Sequence, residues 1–122
     1  MVSRWTNFLS EDGEKEWRNR DDEFEVHQFS KQQLIEKWNE GWKVVLDTLQ
    51  SLTENDLTKN ITIRTQQLNV VDAINRQMAH YSYHVGQIVY LGRWVRQADW
   101  KSLTIPKNKS NEYNQQMQHS KR

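Results

Sequence analysis

One segment constrains this chain more than any other. Between Val70 and Val95 the residues Val71, Ile74, Met78, Tyr81, Val85, Ile88, Gly92 and Val95 recur in steps of three and four. That is the period of one helix face, sustained over roughly 26 residues or ~39 Å at helical rise. No proline or turn signal interrupts it. A second stripe runs beside the first through Ala73, Gln77, His80, His84, Gln87, Leu91 and Trp94. Asn69 is the predicted N-cap, and Asp72 places a negative charge at the positive end of the helix. Gly86 and Gly92 lower helix propensity but permit close approach of a neighbouring helix.

Other elements follow from the same logic. A second helix is predicted from Lys31 to Leu52, opened by a capping box in which Ser30 and Gln33 exchange hydrogen bonds. Leu34, Trp38, Gly41, Val45, Leu49 and Leu52 form its stripe, widened by Ile35, Trp42 and Leu46. A face that broad belongs in a bundle with neighbours on two sides. Between the helices, Ile61-Thr62-Ile63-Arg64-Thr65 alternates and is β-branched, which predicts a short extended or hairpin segment. Val2, Trp5, Phe8 and Leu9 share a helix face for about two turns, too short to be stable alone. Glu11 to Glu25 is a charged loop with Trp17 and Phe24 as expected anchors. After a loop from Asp99 that contains Pro106, Ser110 is the expected cap of a short helix to about Gln118, with residues 119–122 frayed.

Composition bounds the function. The chain has 122 residues, enough for one domain and not comfortably two. Hydrophobic residues are only 35% and mean hydropathy is −1.01, yet six tryptophans are present. Disordered chains are poor in aromatics, so the expectation is a folded domain with few but large core residues. Lys+Arg number 17 against 16 for Asp+Glu, which leaves no basic footprint for nucleic acid. The basic tail through Lys101, Lys107, Lys109, Lys121 and Arg122 reads as solvated. With no cysteine, disulfides, thiolate nucleophiles and iron–sulfur clusters are excluded. No apolar run approaches a membrane span or a signal-peptide core, so a cytoplasmic location without membrane contact is expected.

The residues with chemistry are His80 and His84. Four apart on a helix, they lie on one face about one turn apart and can aim their imidazoles at a shared ion. Tyr81 follows His80 where the zinc-protease helix H-E-x-x-H requires Glu, so that motif is absent. By residue chemistry two readings stand: a transition-metal pair, or a hydrogen-bonded polar cluster inside a bundle. Gln77, Tyr83 and Gln87 are the neighbours expected to support the imidazoles or line a pocket. The tryptophans and Tyr81 and Tyr90 read as packing groups. The run Arg18-Asn19-Arg20-Asp21-Asp22 reads as a solvated loop, with lining of a substrate mouth as its alternative.

The run Ala73-Ile74-Asn75-Arg76-Gln77-Met78-Ala79-His80-Tyr81-Ser82-Tyr83-His84-Val85-Gly86-Gln87-Ile88-Val89-Tyr90 resembles the third-helix signature of the DinB-like superfamily. This superfamily takes its name from damage-inducible bacterial proteins. The stretch Met1 to Leu9, Gly13-Glu14 with Arg18-Asn19-Arg20-Asp21, and Ser102-Leu103-Thr104-Ile105-Pro106 look most like a small Bacillus-type branch. The resemblance implies an all-α, up-down helical bundle, often dimeric, with a divalent metal held by three histidines. It implies relatives that act as thiol transferases with bacillithiol or mycothiol, or as a maleylpyruvate isomerase. His80 and His84 match two of the three ligands. The family's first histidine precedes the position matching Met1, together with the first helix and most of the second. The resemblance therefore implies an N-terminally truncated single domain. His27 and His119 do not match the missing ligand. A carboxylate such as Glu11 or Asp12, or a partner chain, is the candidate to replace it.

Two functional expectations result. The first is a metal-binding protein using nickel or zinc at His80 and His84. It would be a thiol transferase or hydrolase on a small molecule, with a weakened two-histidine site. The second is a non-enzymatic, dimerising helical domain, or a truncated product, whose histidine pair is structural. Both carry a homodimer that completes the bundle, because uncovered apolar stripes seek a partner.

Overall fold

The computed structural model describes residues 1–120. Their elements are α1 (Val2–Trp5), α2 (Lys31–Ser51), β1 (Asn60–Ile63), β2 (Gln66–Asn69), α3 (Val70–Arg96) and α4 (Ser110–His119). Single 3-10 turns lie at Asp22–Phe24, Glu54–Asp56 and Gln97–Asp99. The chain is mostly helical with one small antiparallel sheet, which agrees with the expected helices and the hairpin before the long one. Among the described residues no helix is long and apolar enough to cross a membrane. Two compact units divide the chain within α3, one spanning Met1–Ala79 and the other starting at His80.

The first unit holds the core. Trp5, Phe8, Val45, Ile61, Ile63, Val70 and Ala73 are buried together, with Val44, Leu52, Leu68 and Ile74 packed against them. Trp5 and Phe8 stack with ring centres 4.7 Å apart. Large rings supply much of the buried area that a short apolar list would otherwise lack. The strands pair Asn60 with Asn69 and Ile63 with Gln66. Alternation along β1 turns Ile61 and Ile63 inward. The Val70 amide donates to the Lys59 carbonyl at 3.0 Å, so β2 passes directly into α3. On β1's other side the Gly13 amide donates to the Thr62 carbonyl at 2.8 Å. A side chain at Gly13 would press on Ile63 Cγ1 at 3.2 Å.

Several expectations need correction here. The N-terminal helix stops at Trp5 rather than reaching Leu9, because Asn7 takes a left-handed backbone (φ 51°). Trp5 and Phe8 still reach the core without sharing a helix. Trp17 and Phe24 are not anchors: they are 61% and 71% exposed, and Phe24 instead faces Arg20 at 5.0 Å. The buried residues of that loop are Gly13 and Lys15, and the Lys15 stem is covered while its ammonium meets Glu11 at 2.7 Å. On α2 only Gly41 and Val45 of the predicted stripe are buried.

The second unit contains the later part of α3 and all of α4. Gly92 makes room for a loop side chain and not for the expected neighbouring helix, since a Cβ there would lie 3.0 Å from the Trp100 ring. Gly86 has open space beside it. The long helix ends where Gln97 turns left-handed (φ 44°), with Arg93 and Arg96 in its last turn facing the negative helix end. Ser110 is the first residue of α4 and not its cap. Lys109 occupies the cap position without a side-chain bond. Of the residues expected to fray, His119 closes α4, and 121–122 lie outside the described residues.

Candidate functional site

The i,i+4 spacing on α3 does bring the two imidazoles together. Their Nε2 atoms are 3.2 Å apart, and the rings meet edge to face with centres 4.5 Å apart. His84 Nδ1–H donates to Gln87 Oε1 at 2.9 Å, and Gln87 Nε2 donates to the Tyr83 hydroxyl at 3.0 Å. The Tyr83 ring stands 5.2 Å from the His84 ring. A proton on Nδ1 leaves the His84 Nε2 lone pair directed at His80. One turn of helix thus carries a relay from Tyr83 through Gln87 and His84 to His80. All four side chains are exposed.

This donor set can be tested against a metal ion. Two bonds of about 2.05 Å to nitrogens this far apart would enclose roughly 100°, close to a tetrahedral angle. The pair therefore fits two corners of a zinc-like site. Among the described residues no group of three or more His, Cys, Asp or Glu side chains is placed to hold an ion.

The other expected neighbours are engaged elsewhere. Gln77 is buried, and its Oε1 accepts from the Trp5 indole at 3.4 Å. Glu11 accepts from Lys15 and Asn7, and the lysine bond holds its carboxyl below the usual range. Asp12 accepts from the amides of Glu14, Arg64 and Thr65, which lowers its carboxyl likewise. His27 is tied to Asp22, with Nε2 2.8 Å from the carbonyl oxygen. A depression along α4 is lined by Glu112, Gln115, Gln116, His119 and Ser120, and includes neither His80 nor His84.

A family model described as protein of unknown function (DUF1572) matches residues 1–109. The chain belongs to the DUF1572 family. That family lies within the DinB-like superfamily, so the resemblance seen in the third-helix signature holds at superfamily level. No curated protein and no solved structure matches this DUF1572 chain.

A group of arginines in the first unit has no signal in the local sequence. Arg18 and Arg64 both donate to Glu14, and the Arg4 stem lies against Gly13; Arg76 adds to the positive charge acting on Arg4, and Glu14 opposes it. These arginines come from α1, the charged loop, the hairpin turn and α3. No local spacing links them, and only the Arg18 run drew notice as a segment.

Proposed function

We propose that this DUF1572 protein binds a divalent transition metal, nickel or zinc, between His80 and His84, in a helical bundle of the DinB-like kind. The observation that carries this reading is the convergence of the two Nε2 atoms at 3.2 Å with a near-tetrahedral opening. Gln87 supports it by holding His84 in the tautomer whose Nε2 lone pair is available. A bound divalent ion would lower the pKa of a coordinated thiol or water, the chemistry of a thiol transferase or hydrolase. His80 and His84 supply two ligands, Gln87 orients one of them, and Tyr83 holds Gln87. The remaining positions belong to solvent, substrate or a group from a second copy of the chain. The second copy is part of the proposal. On α2, Leu34, Trp38 and Leu46 are exposed, and on α3 so are Val85, Ile88, Leu91, Trp94 and Val95. Apolar faces of that extent mark interaction surfaces.

Metal content and zinc titration of protein purified without an affinity tag test the reading. We expect bound or stoichiometrically binding metal, with affinity falling about tenfold or more in His80→Ala and in His84→Ala. Absence of metal, together with equal zinc affinity in wild type and His80→Ala, rejects it. One observation favours a second reading. No third donor joins the pair among the described residues, and the imidazoles are already hydrogen-bonded to each other. In that reading the domain is a non-enzymatic dimerisation module, and the pair contributes only structure.

A further inference from the structure

The histidine pair on α3 is half of a coordination shell. The two Nε2 atoms converge at 3.2 Å, and zinc held by protein groups alone takes four donors in a tetrahedron. Among the described residues no group of three or more His, Cys, Asp or Glu side chains completes it. Gln87 is already bonded to His84 on one side and to the Tyr83 hydroxyl on the other. Both imidazoles are exposed, so further donors have an open side from which to approach.

The residues that continue the pair indicate the source of those donors. His84, Ile88, Leu91 and Val95 recur in steps of four, three and four. That is the spacing of a seam along which one helix packs against another. Ile88, Leu91 and Val95 are 57%, 54% and 73% exposed, so the seam is open. Between His80 and Val95 the single charged residue is Arg93. It follows His84 by nine residues and so lies half a turn away from the seam. An uncharged apolar seam meets its own copy without like-charge repulsion. A second copy brings a matching seam and, at the same height along it, a second pair of imidazoles. Seven residues before His84 the same line reaches Gln77, which is buried and bonded to the Trp5 indole. The open seam therefore runs only from the pair toward the C-terminal end of α3, and it meets its copy with the two helices parallel.

We propose that His80 and His84 hold one divalent ion jointly with the partner's His80 and the partner's His84, across a two-fold axis between two parallel α3 helices. This rests on the metal reading above and names the groups that fill its open positions. A tetrahedron has two-fold axes that exchange its opposite edges. Two copies of a pair that opens near the tetrahedral angle thus make one four-nitrogen shell. Such an ion links the chains, and a thiol or water reaches it only by expanding the shell to five donors.

Zinc titration of the full, tag-free chain, followed by its mass in solution, tests the shared site. Wild type should saturate at one zinc per two chains, with twice the chain mass at that point. Removing zinc with EDTA should weaken the dimer about tenfold or more, because an ion bound across the axis and the association stabilise each other. Leu91→Glu sets two carboxylates face to face on the seam but keeps every imidazole. It should leave a monomer that takes one zinc per chain, about tenfold or more weakly. Independently of any variant, X-ray absorption of wild type at half an equivalent of zinc should count four imidazole nitrogens per ion. Saturation at one zinc per chain, two imidazole nitrogens at half an equivalent, or a dimer indifferent to zinc overturns the shared site and leaves a two-histidine site within each chain standing. No zinc uptake, or uptake unchanged in His80→Ala, overturns both.

Discussion

Asp12 bridges the charged loop and the hairpin turn, accepting from the amides of Arg64 and Thr65 at 2.8 and 2.9 Å. Both turn residues have positive φ, 52° and 64°, in a connection that ordinarily favours Asn-Gly. The two amide bonds offset a backbone cost of ~1–2 kcal/mol per residue. Thr65→Gly should therefore raise stability by about 1 kcal/mol, measured by chemical denaturation. Asp56 has a similar role beside α2, accepting from the Thr53 amide and hydroxyl and from Lys59. Its carboxyl is held well below the ordinary range by the Lys59 and Thr53 bonds. For both aspartates the folded pKa is depressed. Their stabilisation is therefore complete above the unfolded value of about 4 and disappears as pH falls through the folded value. Asp12→Asn and Asp56→Asn should each lower Tm at pH 7 by about 4–8 °C. The gap from wild type should narrow in thermal melts taken progressively below pH 4. None of the turn support was legible in the sequence. Asp12 meets Arg64 across 52 residues, and nothing local to either announces the pair.

Among the elements, those with local signals were readable. Ser30 Oγ accepts from the Gln33 amide at 3.2 Å and the Gln33 side chain accepts from the Ser30 amide at 2.8 Å, the capping box the sequence announces. Asn69 caps α3 as expected, taking the Asp72 amide at 2.8 Å. Ser30→Ala should cost about 1 kcal/mol, read as a lower urea midpoint with unchanged slope. Helix ends set by an ordinary residue turning left-handed were not readable. Asn7 stops α1 early and Gln97 ends α3, and neither has the glycine that usually marks such a position. The stripes on α2 and α3 gave the right helices but only some of the buried residues, Gly41 and Val45 on α2 and Ala73 and Gln77 of the second stripe on α3. At the start of α3 it is Val70, Ala73 and Gln77 that are buried, while Val71 and Met78 of the leading stripe are exposed. Periodicity identifies a face, and only packing decides which face is covered.

For the whole molecule, the exposed apolar residues and the small core point the same way. Light scattering at micromolar concentration should give twice the chain mass of 14.8 kDa. Trp38→Glu or Ile88→Glu, each an exposed helix position, should shift the species toward monomer. A wild-type monomer that melts cooperatively contradicts the dimer. The meeting of the two imidazoles was legible because one helical turn defines it. The arginine cluster was not, because four separated segments assemble it. X-ray absorption at the zinc edge, on tag-free protein loaded with one equivalent of zinc, addresses the proposed function most directly. Two imidazole nitrogens at about 2.0–2.1 Å, lost when both His80 and His84 are replaced by Ala, are expected. A zinc shell of oxygen alone, or imidazole scattering that survives the double replacement, would contradict metal binding at this pair.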